Sequence, residues 1–238
     1  MSFVTVPGTE VEWCAHETRV RDYQAFCRAT GRGAELPDFP QSGDHPVVNV
    51  SWHDARAFCD WLGAREGRHY RLPTDREWSV AAGLGEIERA DIAPGRQPAV
   101  ADLHHWGRGP LGAGAGNFCD ECFGARHGSG YEASWLAGYR DGYAATAPVG
   151  RFRAWPGGLR DFAGNVWEWC EDWHDPSTRR DKVVRGGAWR TGDSTRLLAS
   201  FRGPDPPSAR IDSIGFRVVR ERQPLTSDPP SIGSDRSR

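Results

Sequence analysis

At 238 residues with a formal net charge of −2, 38% hydrophobic and 26% charged residues, the chain has the size and balance of one folded domain. No basic field exists to release counterions from a phosphate backbone, and no apolar run reaches the roughly 18 residues a membrane span requires, so neither nucleic acid nor a bilayer is an expected partner. The 29 Gly, 17 Pro and 11 Trp describe a loop-rich chain pinned by indoles. Its opening, MSFVTVPGTEVEW, has neither the basic nor the apolar region of a signal peptide, which makes the cytoplasm the expected compartment. In that setting the six cysteines read as mostly reduced thiols packed in a core.

The first amphipathic segment runs from about Thr18 to Gly31, with Val20, Tyr23, Phe26 and Cys27 at helical spacing behind a threonine cap. A second helix opens at Ser51 with Asp54 in the capping-box position and Ala55, Phe58, Cys59 and Leu62 on one face. A third begins at Thr74, where Glu77 completes a capping box, and loosens at Gly83. From Pro94 to Ser134 the pattern dissolves into Gly, Pro, His and Asp, which predicts long loops. Val166 to Trp173, Val183 to Trp189 and Ile214 to Arg220 cluster β-formers and read as the main strands. Residues 223–238 are polar and rich in Pro and Ser, a composition that cannot build a packed core.

The run from Gly157 through Asp161, Gly164, Asn165 and Val166 to Trp167, Glu168, Trp169 and Trp173 resembles the GL-x-D-x-x-GNVWEW-x-x-DW signature of the formylglycine-generating-enzyme family. Further blocks follow family order: Pro46 to Trp52, Tyr70 to Trp78, Arg185 to Trp189, and Ile214 to Arg217. The resemblance covers residues 1–222 and implies an α+β, C-type-lectin-like fold, low in regular structure, with loops held by structural calcium. On strand geometry Trp167 and Trp169 share one side and Glu168 takes the other, where its charge needs a partner, either a cation or an arginine. Carried over, the family's calcium sites fall on Asp161, Gly164, Val166 and Glu168, and on Asn117, Phe118, Asp141 and Tyr143. Oxygen donors of this kind suit calcium.

Members of the family that convert cysteine to formylglycine bind copper(I) through two cysteines after the RGG block, and soft thiolates are what that ion demands. Thr191 and Arg196 occupy the matching positions here, and no cysteine follows Cys170. No copper is expected, and the copper oxidase reading loses its chemistry. Cys119 and Cys122 form a single C-x-x-C, which reads as local packing ahead of a zinc site or a redox dithiol. His104, His105 and His127 read as loop side chains rather than as a histidine metal site. Gly112 to Gly116 lacks the following Lys-Ser or Lys-Thr of a phosphate loop.

A scaffold without its thiols argues for recognition. The resemblance extends to non-catalytic signalling modules and to the variable proteins of diversity-generating retroelements, which display residues near the C-terminus of this fold. The expected function is therefore a non-catalytic binding module, expected to be a monomer, for a protein or other macromolecular ligand. Its surface is expected between Trp189 and Arg210, formed by Trp189, Arg190, Thr191, Asp193, Ser194, Phe201, Arg202, Asp205 and Arg210, with Trp189 and Phe201 as aromatic anchors. The alternative is an oxidoreductase acting on thiols through a rearranged metal site.

Overall fold

A computed structural model describes residues 1–88, 91–92, 100–128 and 136–222. Parts of the expected 94–134 loop region and all of the polar tail lie outside the described residues. Among the described residues no helix is long and apolar enough to cross a membrane.

The helices form where the caps stand. Helix α1 (Val20–Thr30) starts behind Arg19, whose guanidinium bonds Asp22 at 2.7 Å. Thr18 does not cap it, because its amide donates to the Phe216 carbonyl and its own carbonyl accepts from Val47. Helix α2 (Trp52–Glu66) has the expected Ser51 and Asp54 box, and α3 (Asp75–Ala81) the expected Thr74 and Glu77 box. A fourth helix, α4 (Glu121–His127), falls within the span read as loop. Asp120 caps it by accepting from the amides of Cys122 at 2.7 Å and Phe123 at 3.1 Å.

Among the described residues eight short strands make two four-stranded sheets: β1 (Phe3–Thr5), β2 (Val11–Cys14), β3 (Tyr70–Arg71), β4 (Trp167–Trp173), β5 (Lys182–Arg185), β6 (Gly203–Asp205), β7 (Ile214–Gly215) and β8 (Val219–Glu221). Their orders are β1-β2-β8-β3 and β6-β5-β4-β7, antiparallel except for β4 with β7. The expected strand from Ile214 to Arg220 is thus two strands in two sheets, joined across Phe216 to Val218, all fully buried. The expected Val183 to Trp189 strand stops at Arg185, because Gly186 and Gly187 adopt φ of 100° and 82° and turn the chain inward.

The largest core layer packs Phe26, Phe58, Trp167, Trp169 and Phe216 beneath α1 and α2. A second holds Trp13, Trp78, Leu84 and Phe162, with the rings of Trp78 and Phe162 stacked at 4.1 Å. Glu168 lies between the indoles of its strand and points to the second layer, where the Trp78 indole N–H donates to it at 3.5 Å.

Candidate functional site

The site begins with the charged residues that the fold buries. Glu168 is 1% exposed, and its partner is Arg217: the guanidinium Nη2 donates at 2.8 Å to Oε1, and Nε reaches both oxygens at 3.1–3.2 Å. Of the two partners open to Glu168, the arginine is therefore present. Two further acids share its surroundings. Asp161 accepts from the amides of Gly150 and Phe152. Burial raises its carboxyl above the ordinary range against those amides, and the charge of Glu168 adds to the rise. Glu17 is fully buried. It accepts only a weak bond from Asn165 at 3.4 Å, and its Oε1 has no partner. Burial, then the charge of Asp161, pushes it well above the usual carboxylate range. Three carboxyl groups thus share one guanidinium, but among the described residues their oxygens do not all come within metal-ligand distance of one another.

The second set meets at the junction of the 117–120 and 141–145 loops. Asn117 donates to the carbonyl of Ala145 at 2.8 Å and to Asn165 at 3.2 Å, while its side-chain oxygen is buried with no partner. The amides of Phe118 and Tyr143 donate to opposite oxygens of Asp141 at 2.9 and 2.7 Å, so Asn117, Phe118, Asp141 and Tyr143 are one neighbourhood. Burial pushes the Asp141 carboxyl up to about 7, Asp120 adds to the rise, and the two amides oppose it. Asp120, Cys122 and Asp141 bring one ligand atom each within 4.8 Å of one another. Asp120 was missed in the sequence, although an aspartate ahead of an apolar helix is a readable cap. The unpartnered Asn117 oxygen and the Asp141 carboxyl, linked through the Phe118 amide, are hard oxygen donors of the kind calcium takes.

Glycine makes this junction possible. Gly164, at φ 76°, packs its Cα against the Asn117 backbone, and any Cβ there would meet the Asn117 carbonyl oxygen and lie 2.8 Å from the Phe118 ring. The amide of Asn165 donates to that same carbonyl at 2.7 Å, so both acidic neighbourhoods hang on one backbone contact.

The copper positions of the family carry no thiol. Thr191 is 6% exposed, its hydroxyl accepts from the Ala188 amide, and its carbonyl accepts from Cys119. Arg196 is exposed, with its guanidinium 5.6 Å from the Trp167 ring and 5.7 Å from Phe201. Burial raises the thiols of Cys14, Cys27, Cys59, Cys119 and Cys170, which keeps them protonated and unreactive. Cys119 packs with Phe123 and Trp189, while Cys122 is half-buried beside Asp120 and Asp141. His105 and His127 lie in different aromatic groups, His105 with Trp78 and His127 on Phe123.

Three residues expected on the exposed surface are not there. Trp189 is 3% exposed, packed on Phe39 with its N–H donating to the Asp212 carbonyl, and Thr191 follows it into the interior. Arg202 is 8% exposed and bound to Asp75 and Glu88, both at 2.6 Å. The inward turn at Gly186 and Gly187 carries the first two beneath the surface, and the acids on and after α3 claim the third. Arg190 pairs with Asp212, and Arg210 with Asp54 at 2.6 Å. Asp193, Ser194 and Arg196 are exposed, and Phe201 and Asp205 are half-buried beside them. Burial raises the Asp205 carboxyl, and the positive charge of Arg196 opposes that rise.

Short sheets bridged by β7 and β8, with long loops ordered by buried carboxylates, define a C-type-lectin-like domain of the formylglycine-generating kind. A family model for the sulfatase-modifying factor enzyme 1-like domain matches residues 2–222, and the chain belongs to that family. It is 34% identical over 200 residues to the formylglycine-generating enzyme of Streptomyces coelicolor, covering 77% of this chain and 55% of that one. It is 31% identical over 196 residues to the inactive C-alpha-formylglycine-generating enzyme 2 of Bos taurus, with 77% and 54% covered. The chain spans about half the length of these curated relatives. Among solved structures, PvdO from Pseudomonas aeruginosa superposes with a TM-score of 0.64 at 21% identity over 93% of this chain and 91% of that one. Treponema denticola variable protein 1 does so at 0.60 and 18% identity, covering 93% and 92%. Both are likenesses of fold.

Proposed function

We propose that this domain is a non-catalytic, calcium-stabilised recognition module. The observation that carries the reading is the chemistry at the two copper positions, a buried threonine hydroxyl and an exposed guanidinium, neither of which is a soft ligand or a redox group. Its recognition face comprises Asp193, Ser194, Arg196, Phe201 and Asp205, with Arg190 and Arg210 at the rim. An exposed arginine laid over two aromatic rings is a suitable centre for a protein contact. That relatives of the same family include both named enzymes and a named inactive form is compatible with loss of chemistry on a retained scaffold.

A peptide carrying a C-x-P-x-R motif is expected to keep its mass after incubation with the protein, copper and oxygen. A loss matching replacement of thiol by aldehyde overturns the reading in favour of an oxidase. On the binding side, a photocrosslinker at Ser194 should capture a discrete partner from host-cell extract that one at Arg28, on α1, does not. Arg196→Ala should abolish the capture while changing stability by less than about 0.5 kcal/mol. Equal capture from both positions argues against the assigned face.

Calcium would be held by the side chains of Asn117 and Asp141 with the carbonyls of Phe118 and Tyr143, and by Asp161 and Glu168 with the carbonyls of Gly164 and Val166. It would neutralise carboxylates and tie loops together. An ion that binds only the folded chain at about a hundredfold over its Kd adds roughly 2.7 kcal/mol of stability. Thermal melts with calcium should therefore sit well above those with chelator, and Asp141→Asn should shrink the difference; identical melts remove calcium from the proposal.

A further inference from the structure

A cavity of about 550 Å³ is lined by His105, Trp106, Arg153, Trp155 and the glycine-rich turn at Gly112 and Ala113. None of its described lining residues belongs to the 189–210 segment, so what it does is independent of the reading above. Its volume lies in the range that encloses a small organic molecule.

The wall chemistry selects the occupant. Both indole N–H groups are spent on the protein, Trp155 donating to the Ala81 carbonyl at 2.9 Å and Trp106 to that of Gly109 at 3.2 Å, so the rings offer apolar surface. His105 is 2% exposed, wedged edge-on against Trp78 at 5.3 Å and Trp155 at 6.1 Å. Burial, reinforced by the charges of Arg185 and His104, depresses its imidazole to about 3, so the ring is neutral at physiological pH. Its Nδ1 has no hydrogen-bond partner. That nitrogen is itself sealed from solvent, so it does not face the cavity, and His105 contributes ring surface to the wall. The Arg153 guanidinium is exposed at the rim and has no ion pair among the described residues; its backbone amide donates to the Gly114 carbonyl at 3.0 Å, which fixes it to the small-residue turn. Gly112, in the lining, has open space where a Cβ would stand, so no side chain narrows the cavity there.

Among the described residues no carboxylate lines the cavity, which disfavours a cationic guest, and the one guanidinium among them, without a set of free amides, is too little for a phosphate. We propose that this cavity binds a small aromatic carboxylate, its ring against Trp106 and Trp155 and its acid group on Arg153. Aromatic and guanidinium surfaces together recognise such flat monoanions.

The test is calorimetric titration of indole-3-acetate and of its neutral amide into the full chain, into Arg153→Gln and into Ala113→Trp. Arg153 and Ala113 are both exposed, so neither change touches the core. The native protein should prefer the acid over the amide by about tenfold, the strength of one charge-assisted contact. Arg153→Gln should bring that ratio to about one, and Ala113→Trp, which plugs the mouth, should abolish binding of both. The proposal is overturned by no binding of either probe to the native chain, by equal affinity for acid and amide, by a preference that survives Arg153→Gln, or by undiminished binding to Ala113→Trp.

Discussion

Asp75→Asn should destabilise the domain by about 3–5 kcal/mol, measured by urea unfolding at pH 7. Asp75, at the start of α3 and 2% exposed, receives Arg185 on one oxygen and Arg202 at 2.6 Å on the other. Ser79 accepts from both guanidiniums, at 3.2 and 3.0 Å. The asparagine keeps the shape and removes the charge, leaving two buried guanidiniums with only Glu88 between them. Arg202→Ala should be nearly as costly, since it strands Glu88, whose other oxygen is already without a partner. Ser194→Ala, exposed on the same segment, should stay within about 0.5 kcal/mol. If Arg202→Ala matches Ser194→Ala, the network is not structural.

The same network sets a pH dependence. Burial alone would raise the Asp75 carboxyl, but the charges of Arg185 and Arg202 outweigh it and the net shift is downward. A carboxylate whose folded pKa lies below its unfolded value of about 3.9 binds fewer protons in the folded state. Its stabilisation is fully present above that unfolded value and is lost as pH falls through the folded one. The stability difference between the native protein and Asp75→Asn should therefore be flat from pH 5 to 8 and shrink below about pH 4. A difference that grows on acidification contradicts the assignment.

What the sequence made legible, and what it hid, follows from the range of the interactions. Ser51 with Asp54 and Thr74 with Glu77 are contacts three residues apart, so α2 and α3 could be read with their starts. The alternation in the WEW run put Trp169 and Glu168 on opposite sides, and it did so because strand geometry is local. The identity of Glu168's partner was not local: Arg217 lies 49 residues away and reaches it only because Phe216 to Val218 crosses between sheets. Arg202 looked like loop surface for the same reason, its acids lying 127 and 114 residues distant. Trp189 was misplaced because its inward direction is set by two positive-φ glycines, and a block of β-formers does not reveal where a strand turns. His105 was read as an ordinary loop side chain, since nothing near it in sequence announces Trp78, Trp155 and the cavity they share.

Gly164→Ala should be among the most damaging single-methyl changes in the protein, and a second glycine isolates the reason. Gly31, which ends α1, has φ 70°, close to the 76° of Gly164, but a Cβ on it would meet nothing within 4 Å. Gly31→Ala therefore measures the backbone cost of a side chain in the left-handed region, about 1 kcal/mol. At Gly164 the methyl would also overlap the Asn117 carbonyl oxygen and stand 2.8 Å from Phe118. Neither neighbour can yield cheaply. The Asn117 carbonyl accepts from Asn165, and the Phe118 ring is fully buried against Trp106 and Tyr139. Moving this pair adds an overpacking cost of about 1–3 kcal/mol, for a total of about 2–4 kcal/mol. The displacement would also pull Asn117 away from Asp141 and Asp161 away from Glu168, so Gly164→Ala should lose most of the stabilisation by calcium, while Gly31→Ala retains it in full. Urea unfolding of the two variants, each with calcium and with chelator, separates the contributions. Equal losses for both glycines would mean that the Gly164 contact with Asn117 does not hold the two loop sites together.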